Sequence, residues 1–176
     1  MRHVFPVMVV VSVLVLPRTV SSVAAQSVIE PPTFNKTVNL SGPRFGMTAL
    51  GQGVVDELQR RSITVGPNIS QFGWQFEKQF YSKGGGLAAV NEWVFLAGGL
   101  EQGVVLPSLS WLVGLRTREG AEFGIGPNVT PAGVSLVLAA GLTMRTGTFN
   151  VPVNVAVVPS RVGTRVSVLT GFNMRR

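Results

Sequence analysis

Residues 162–172, close to the C-terminus, read VGTRVSVLTGF, and this stretch decides the fold. Its even-numbered positions carry valine, threonine and phenylalanine, whereas its odd-numbered positions carry glycine, arginine, serine and leucine. Such a two-residue period is typical of a β-strand whose two faces meet different surroundings. The stretch is therefore predicted to be a strand with one apolar face and one small or polar face. Its length also suits a tilted strand that crosses a bilayer, which needs about 9–11 residues.

The same alternation recurs in seven segments upstream, with glycine-rich or polar turns between them. The eight predicted strands are residues 37–50, 71–81, 87–97, 104–115, 121–129, 134–145, 148–158 and 162–172. An even number of evenly spaced strands predicts an all-β fold, an eight-stranded antiparallel up-and-down β-barrel of the outer-membrane type. Pro152 falls in the middle of a strand and lacks the N–H group that a ladder needs, so a β-bulge is expected there. A second bulge is expected at Gly42-Pro43.

The N-terminus predicts export. Arg2 and His3 precede an apolar run over residues 4–16, and small residues at 23–25 precede Gln26. This order is typical of a secretory signal peptide over residues 1–25. Residues 26–36 are then expected to form an extended leader, and residues 37–176 a single barrel domain. The chain has no cysteine, which excludes a disulfide framework and a thiolate metal site.

Charge is sparse and scattered. Removal of Arg2 and Arg18 with the signal peptide leaves 13 basic residues against 8 acidic ones, a net charge of +5. The basic residues do not cluster with aromatic residues, which argues against a nucleic-acid partner. The charged fraction of 13% is about half that of an ordinary soluble domain. This composition indicates contact with anionic lipid or polysaccharide more than a water-facing surface.

In nearly every predicted strand the ionisable residue lies on the face opposite the aromatic residues. These ionisable residues are predicted to form a charge network inside the barrel; they are Arg44, Glu77, Glu92, Arg116, Glu122, Arg145 and Arg165. The three acids are expected to find partners among the four arginines, because buried charges must be paired. Lys78 is the exception, placed close enough to a strand end to reach the interface.

The placement of ionisable and aromatic residues on opposite faces of the strands is compatible with two kinds of barrel. A soluble lipocalin-like barrel would turn its aromatic residues inward, whereas an outer-membrane barrel would turn them towards lipid. The interior of eight strands is only wide enough to be filled by side chains. Glycine, serine, asparagine and a few charges would fill it, but the aromatic and aliphatic set would overfill it. The sequence thus favours the membrane barrel with a side-chain-filled lumen.

Residues 162–172 also resemble the C-terminal targeting strand of bacterial outer-membrane barrels, on the pattern of Gly163, Val166, Val168 and Phe172. Over about residues 37–172 the chain resembles, at the level of architecture, the small eight-stranded outer-membrane proteins of the size of the OmpA membrane domain and OmpX. The resemblance implies outer-membrane lipid or lipopolysaccharide as surroundings, and the barrel-assembly machinery as a partner for the last strand. It assigns no activity, as in uncharacterised bacterial envelope proteins. Removal of residues 173–176, which would leave Phe172 terminal, is expected to preserve or improve assembly.

The residue types also limit the chemistry. The sole histidine, His3, lies in the predicted signal peptide, so the mature chain has neither histidine nor cysteine. Ser-His hydrolases and the usual zinc sites need those residues. Asp56 and Glu57 are adjacent, but a solvated helix explains them better than a cation site. The sequence therefore predicts no catalytic residue, no cofactor site and no metal site.

These observations predict a structural or ligand-binding outer-membrane barrel. The alternatives are a soluble periplasmic carrier of lipocalin type and a small pore; the pore is disfavoured because eight strands leave no aqueous channel. Residues 51–69 form the longest break between strands and could contain a short helix at 54–61. Because outer-membrane barrels carry their longer loops outside, this loop is expected to be extracellular and both termini periplasmic.

Overall fold

The structure, a computed structural model, describes residues 40–83, 86–146 and 149–174. The predicted signal peptide and leader lie outside these ranges. Within them the chain forms a closed, all-antiparallel, up-and-down barrel of eight strands, which confirms the fold class predicted from the sequence. Each strand pairs with its neighbours in the sequence, and the first strand pairs with the eighth to close the cylinder.

The element bounds agree with the predicted segments to within a few residues at most ends. In chain order the elements are β1 (Gly42–Leu50), α1 (Gln52–Arg60), β2 (Asn68–Lys83), β3 (Leu87–Gly98), a 3-10 helix (Leu100–Gln102), β4 (Leu106–Thr117), β5 (Ala121–Thr130), β6 (Gly133–Thr146), β7 (Phe149–Ser160), β8 (Gly163–Gly171) and the two-residue β9 (Asn173–Met174). Strand β9 continues β8 after a break at Phe172 and pairs with the start of β7.

The barrel accommodates its central prolines without the predicted bulges. Pro152 pairs with Thr143 in an unshifted β6–β7 register, and the β7–β8 ladder has a gap beside Pro152, where β8 ends at Gly171. The pairing resumes at Asn150 and Asn173. Pro43 likewise stays in register with Trp74, so both predicted bulges are wrong. Pro152 has no N–H group to donate to β8, and this is tolerated because β8 makes no ladder pair at that point.

Alternate residues point into and out of the barrel, as the period of two requires. Large apolar side chains cover the outer wall and are well exposed, for example Phe76, Trp93, Phe123 and Leu142. The inner wall carries small, polar and charged residues together with a set of valines and leucines. The structure therefore turns the aromatic residues outward and the charges inward.

Helix α1 covers one end of the barrel. Its apolar residues Val54 and Leu58 are one helical turn apart and are buried against Leu50, Ile69 and Leu106. Beside this buried face lies Glu57, which accepts hydrogen bonds from Arg60 and, at 2.7 Å, from Arg61. Those two hydrogen bonds lower the pKa of Glu57. We call this the α1 end; the opposite end, where β1 begins and β9 lies, is the terminal end.

Helix α1 is too short to span a membrane, and no helix in the described ranges is both long and apolar enough to do so.

Candidate functional site in the barrel lumen

Polar side chains on the inner wall form two separate layers. The layer towards the terminal end contains Arg44, Gln75, Glu77, Glu92, Arg116, Glu122, Thr143 and Asn173, all of them buried. The layer towards the α1 end is centred on Arg165. The strand pattern positions both layers, because each of these residues occupies an inward position of its strand.

Arg116 is the centre of the terminal layer. It donates two hydrogen bonds to the carboxylate of Glu77, one of them 2.6 Å long from Nη1 to Oε1, in a bidentate pair. Its Nε atom donates a third bond, of 2.7 Å, to Oε1 of Glu122. Thr143 also donates to that Glu122 oxygen, at 2.8 Å. The Arg116 guanidinium thus links β2, β4 and β5. The Thr143 hydroxyl connects β6 to the same group through Glu122.

Glu92 completes a group of three carboxylates but stands apart from the ion pairs. Oxygen atoms of Glu77, Glu92 and Glu122 lie within 4.8 Å of one another, a spacing at which carboxylates could share a cation. The guanidinium of Arg116 already supplies that positive charge for Glu77 and Glu122. Within the described part of the barrel the Glu92 carboxylate has neither a hydrogen-bond partner nor an ion-pair partner.

Arg44 is bound by neutral groups instead of an acid. Its Nε donates to Oε1 of Gln75 at 2.9 Å, and its Nη2 to the Leu40 carbonyl at 2.8 Å. Its Nη1 donates to the Pro43 carbonyl at 3.0 Å and to Oδ1 of Asn173 at 3.4 Å. Arg44 as a whole is only 1% exposed. Of the arginines among which the acids were expected to find partners, Arg44 is thus held by carbonyl and amide acceptors instead.

Asn173 is a site residue that the sequence analysis missed. Besides accepting from Arg44, it donates from Nδ2 to the Ser41 carbonyl at 2.5 Å, so it joins the last strand to the first. A signal for it was present, since Asn173 has the same parity as Arg165 and Gly171. The alternation continues through the break at Phe172, and residue 173 thus points into the lumen.

Arg165 belongs to the second layer and makes no ion pair with the three acids. Its Nη2 donates to Oδ1 of Asn128 at 2.9 Å, and its Nη1 to Oγ1 of Thr130 at 2.6 Å. Asn128 donates in turn to Ser108 and Ser110, each at 2.9 Å. Register explains the separation, because Arg165 pairs with Leu50 next to α1. The single network expected from the sequence is thus two networks. The Arg145 side chain, also assigned to it, lies outside the described residues.

The residues assigned to an assembly strand all lie in or beside β8. Val166 and Val168 point outward and are exposed, as is Phe172 just beyond the strand. Gly163 starts β8 with a φ angle of +145°, a conformation that favours glycine. A Cβ atom on Gly171, at the other end of the strand, would overlap the Pro43 carbonyl oxygen. Both glycines therefore have a steric role in the last strand.

A cavity of about 90 Å³ lies in the lumen between the terminal layer and α1, and residues of both polar layers line it. Its polar lining includes Gln75, Glu92, Asn154 and Arg165, and most of its surface is apolar. The cavity therefore interrupts the side-chain packing of the lumen below α1.

The lumen offers charge and hydrogen-bonding groups in an enclosed setting. Polar side chains of both layers line the cavity, and Val54 and Leu58 of α1 line it at the α1 end. Comparison with protein-family models, with curated proteins and with solved structures finds no significant match to this chain.

Proposed function

We propose that this protein is an outer-membrane β-barrel with a closed lumen and a structural or ligand-binding role, without catalysis. The observation that carries the proposal is the outer wall, largely apolar but interrupted at the paired Lys78 and Asn91, around a polar, charged interior. That arrangement is the one a barrel needs in lipid, where the side chains outside meet hydrocarbon and the polar ones must be satisfied within.

The height of the apolar wall supports the proposal. On β6 every outward residue from 134 to 144 is apolar; they are Val134, Leu136, Leu138, Ala140, Leu142 and Met144. Ten steps of about 3.3 Å make about 33 Å along the strand. A tilt of about 40° reduces this to about 25 Å along the barrel axis, which equals the apolar band of outer-membrane barrels.

The aromatic part of the outer wall supports it further. Trp93 and Trp111 stack with their ring centres 5.8 Å apart on β3 and β4, and Phe76 meets Phe95 edge-on at 5.9 Å. The indole N–H of Trp111 donates to Oδ1 of Asn91 at 2.6 Å. This internal partner satisfies the only polar atom of the indole ring, so the patch does not depend on water for that bond.

The orientation argues against a soluble carrier of lipocalin type. Such a carrier would hold its lipid among inward aromatic and aliphatic residues, and its outer wall would be charged. In this barrel the exposed outer wall includes Phe72, Trp74 and Leu138. An apolar surface that encircles a barrel far exceeds the few hundred Å² of apolar patch usual for a soluble monomer.

The interior argues against a pore. The Arg116 layer crosses the lumen near the terminal end, and α1 covers the other end with Val54 and Leu58. The cavity between them has a volume of about 90 Å³. An eight-stranded barrel is of the size whose interior side chains fill. We therefore propose that the barrel conducts no ions in its closed state.

The export signal predicted at residues 1–25 and the outward pattern of the last strand support an outer-membrane location. We propose outer-membrane lipid, including lipopolysaccharide, as the surroundings of the wall. The barrel-assembly machinery is the proposed partner of β8, with Gly163, Val166, Val168 and Phe172 as the recognised pattern. The long connection at the α1 end supports a topology in which that end faces outward.

Membrane fractionation combined with gel mobility before and after heating tests the proposal. The expected result is a protein in the outer-membrane fraction whose folded and heat-denatured forms migrate differently in SDS. Recovery in the soluble periplasmic fraction, without a heat-dependent shift, would instead identify a soluble barrel. Planar-bilayer recording separates a closed barrel from a pore, because steady single-channel conductance would contradict the closed lumen.

A further inference from the structure

The cavity between the two polar layers collects the unpaired polar atoms of the lumen. Three buried side-chain atoms in the described ranges lack a hydrogen-bond partner: Gln75 Nε2, Asn154 Oδ1 and Arg165 Nε. All three belong to residues that line this one cavity. Buried polar groups are normally hydrogen-bonded, so such a concentration calls for a partner inside the cavity.

Gln75 is the clearest case of an unpaired donor, because its other amide atom is held in place. Its side chain is 2% exposed, and its Oε1 atom is held by Arg44 at 2.9 Å. The bond from Arg44 fixes the amide so that Oε1 is occupied and the NH₂ group remains free to donate. A molecule in the cavity would therefore meet a fixed donor at Gln75.

Glu92 adds a buried carboxyl group that has no contact partner among the described side chains. Its side chain is 8% exposed and lines the same cavity. Arg116 is engaged with Glu77 and Glu122, and Arg44 with neutral acceptors. An ionised carboxylate buried without a partner is costly. A positive group within the cavity would supply the partner that the described side chains do not.

Volume and lining limit what such a partner can be. A space of about 90 Å³ suits a molecule of a few non-hydrogen atoms. The middle of the cavity is walled by Val94, Leu112, Val137 and Val158. The molecule must therefore be small, with a short hydrocarbon portion beside its polar groups.

We infer that the cavity is a binding site for a small organic cation of the amino-alcohol type. Its ammonium group pairs with the Glu92 carboxylate, and its oxygen accepts a hydrogen bond from the Gln75 amide. The short carbon chain lies against the valine and leucine walls. This inference rests on the ligand-binding half of the proposed function, but not on the membrane location.

Access is expected at the α1 end. The terminal end is closed by the bidentate Arg116–Glu77 pair and the bond to Glu122. The α1 end is closed by apolar contacts of Val54 and Leu58, together with a backbone bond of 2.8 Å from Gly51 to the Thr164 carbonyl. The α1 end should open more easily than the terminal end, because its opening breaks apolar contacts and no buried ion pair.

Ethanolamine is the probe for the test, added to the full mature barrel folded in detergent micelles. The measurement is the ¹⁵N–¹H NMR signal of the Gln75 side-chain amide during titration. A saturable shift is expected with ethanolamine and not with ethylene glycol or glycolate at equal ionic strength. Glu92→Gln is expected to weaken binding about tenfold or more, because it removes a charge-assisted hydrogen bond. Glu119→Gln, in an exposed turn, serves as the matched control and should bind normally.

Ala156→Val gives a second test that keeps Glu92 intact, because Ala156 lines the cavity and the added methyl groups occupy its space. It should abolish the ethanolamine shift while the heat-dependent gel mobility shows a folded barrel. No shift in the wild type, equal shifts with ethylene glycol, or unchanged binding by Glu92→Gln would each overturn the inference. Because the titration is done in micelles, its failure leaves the fractionation result of the proposed function untouched.

Discussion

Arg116 on β4 and Glu77 on β2 meet in the lumen, although β3 lies between their strands. Two parallel hydrogen bonds join them, one of them 2.6 Å long. The contact is not between neighbours in a ladder, so it spans part of the barrel's cross-section and fixes the distance between non-adjacent walls. Glu122, which pairs with Arg116 in register on β5, extends this bridge to a third strand.

Removal of Arg116 should destabilise the barrel strongly. Arg116→Met leaves the Glu77 and Glu122 carboxylates buried without their cation, and breaking a buried pair from one side costs about 3–5 kcal/mol. The measurement is the urea unfolding midpoint in micelles or vesicles, followed by tryptophan fluorescence. Arg60→Met, on the exposed face of α1, is the control and should leave the midpoint unchanged. Equal midpoints for the two variants would contradict a buried ion-pair layer.

Loss of Asn173 should weaken closure of the barrel. Asn173→Ala removes the bonds to Arg44 and to the Ser41 carbonyl, at a cost of about 1–3 kcal/mol for buried groups left unpaired. The sequence alone predicts that removal of residues 173–176 preserves or improves assembly. Because Asn173 is buried where the first and last strands meet, we expect that truncation to lower the unfolding midpoint instead. Truncation after Met174 retains Asn173 and is the control. An unfolding midpoint that Asn173→Ala leaves unchanged would contradict a role of Asn173 in joining the last strand to the first.

Gly171→Ala should be more harmful than an alanine in a turn. A Cβ atom at residue 171 would overlap the Pro43 carbonyl oxygen and lie 2.8 Å from Nη1 of Arg44. Overpacking of this kind costs about 1–3 kcal/mol. Gly86 has open space around the corresponding Cβ position, so Gly86→Ala is the matched control. The folded fraction on an unheated gel should fall for Gly171→Ala alone; equal yields would contradict the close approach of β1 and β8.

The two faces of β8 should respond differently to substitution. Val168 is 50% exposed on the outer wall, and an arginine near the bilayer midplane costs about 2–4 kcal/mol. Val168→Arg should therefore reduce the amount of folded protein in the outer membrane, and Val166→Arg should act in the same direction. Ser167→Asn, on the inner wall beside the cavity, should have little effect because an amide can replace the hydroxyl bond to Thr48. Wild-type levels of both arginine variants would contradict the outward assignment.

The sequence predicted the barrel because the information lies in short-range alternation. Parity places Glu77, Glu92 and Glu122 on one face of their strands, and the narrow interior of an eight-stranded barrel identifies that face as the inner one. The number of strands followed from the turns. The same rule would have found Asn173, had it been continued beyond Phe172.

The pairing inside the lumen could not be predicted in this way. Parity places Arg44, Arg116 and Arg165 on one face, but it does not give their height along the barrel axis. That height depends on the shear of the closed sheet, which only the register between strands defines. Arg165 therefore lies beside α1, opposite Leu50. Arg44 lies opposite Gly171, at the other end of β8. The cavity depends on the same packing and left no signal in the sequence.

Site-directed spin labelling tests the central claim most directly, because the chain contains no cysteine and each label can be introduced alone. Leu138 lies on the outer wall and Ala139, its neighbour on β6, lines the cavity. The labelled Leu138→Cys variant, reconstituted in lipid vesicles, should be relaxed strongly by oxygen, which concentrates in hydrocarbon, and weakly by a water-soluble nickel chelate. The Ala139→Cys label should be shielded from both. Strong relaxation of the residue-138 label by the nickel chelate would mean that the apolar wall faces water, and it would contradict the membrane barrel.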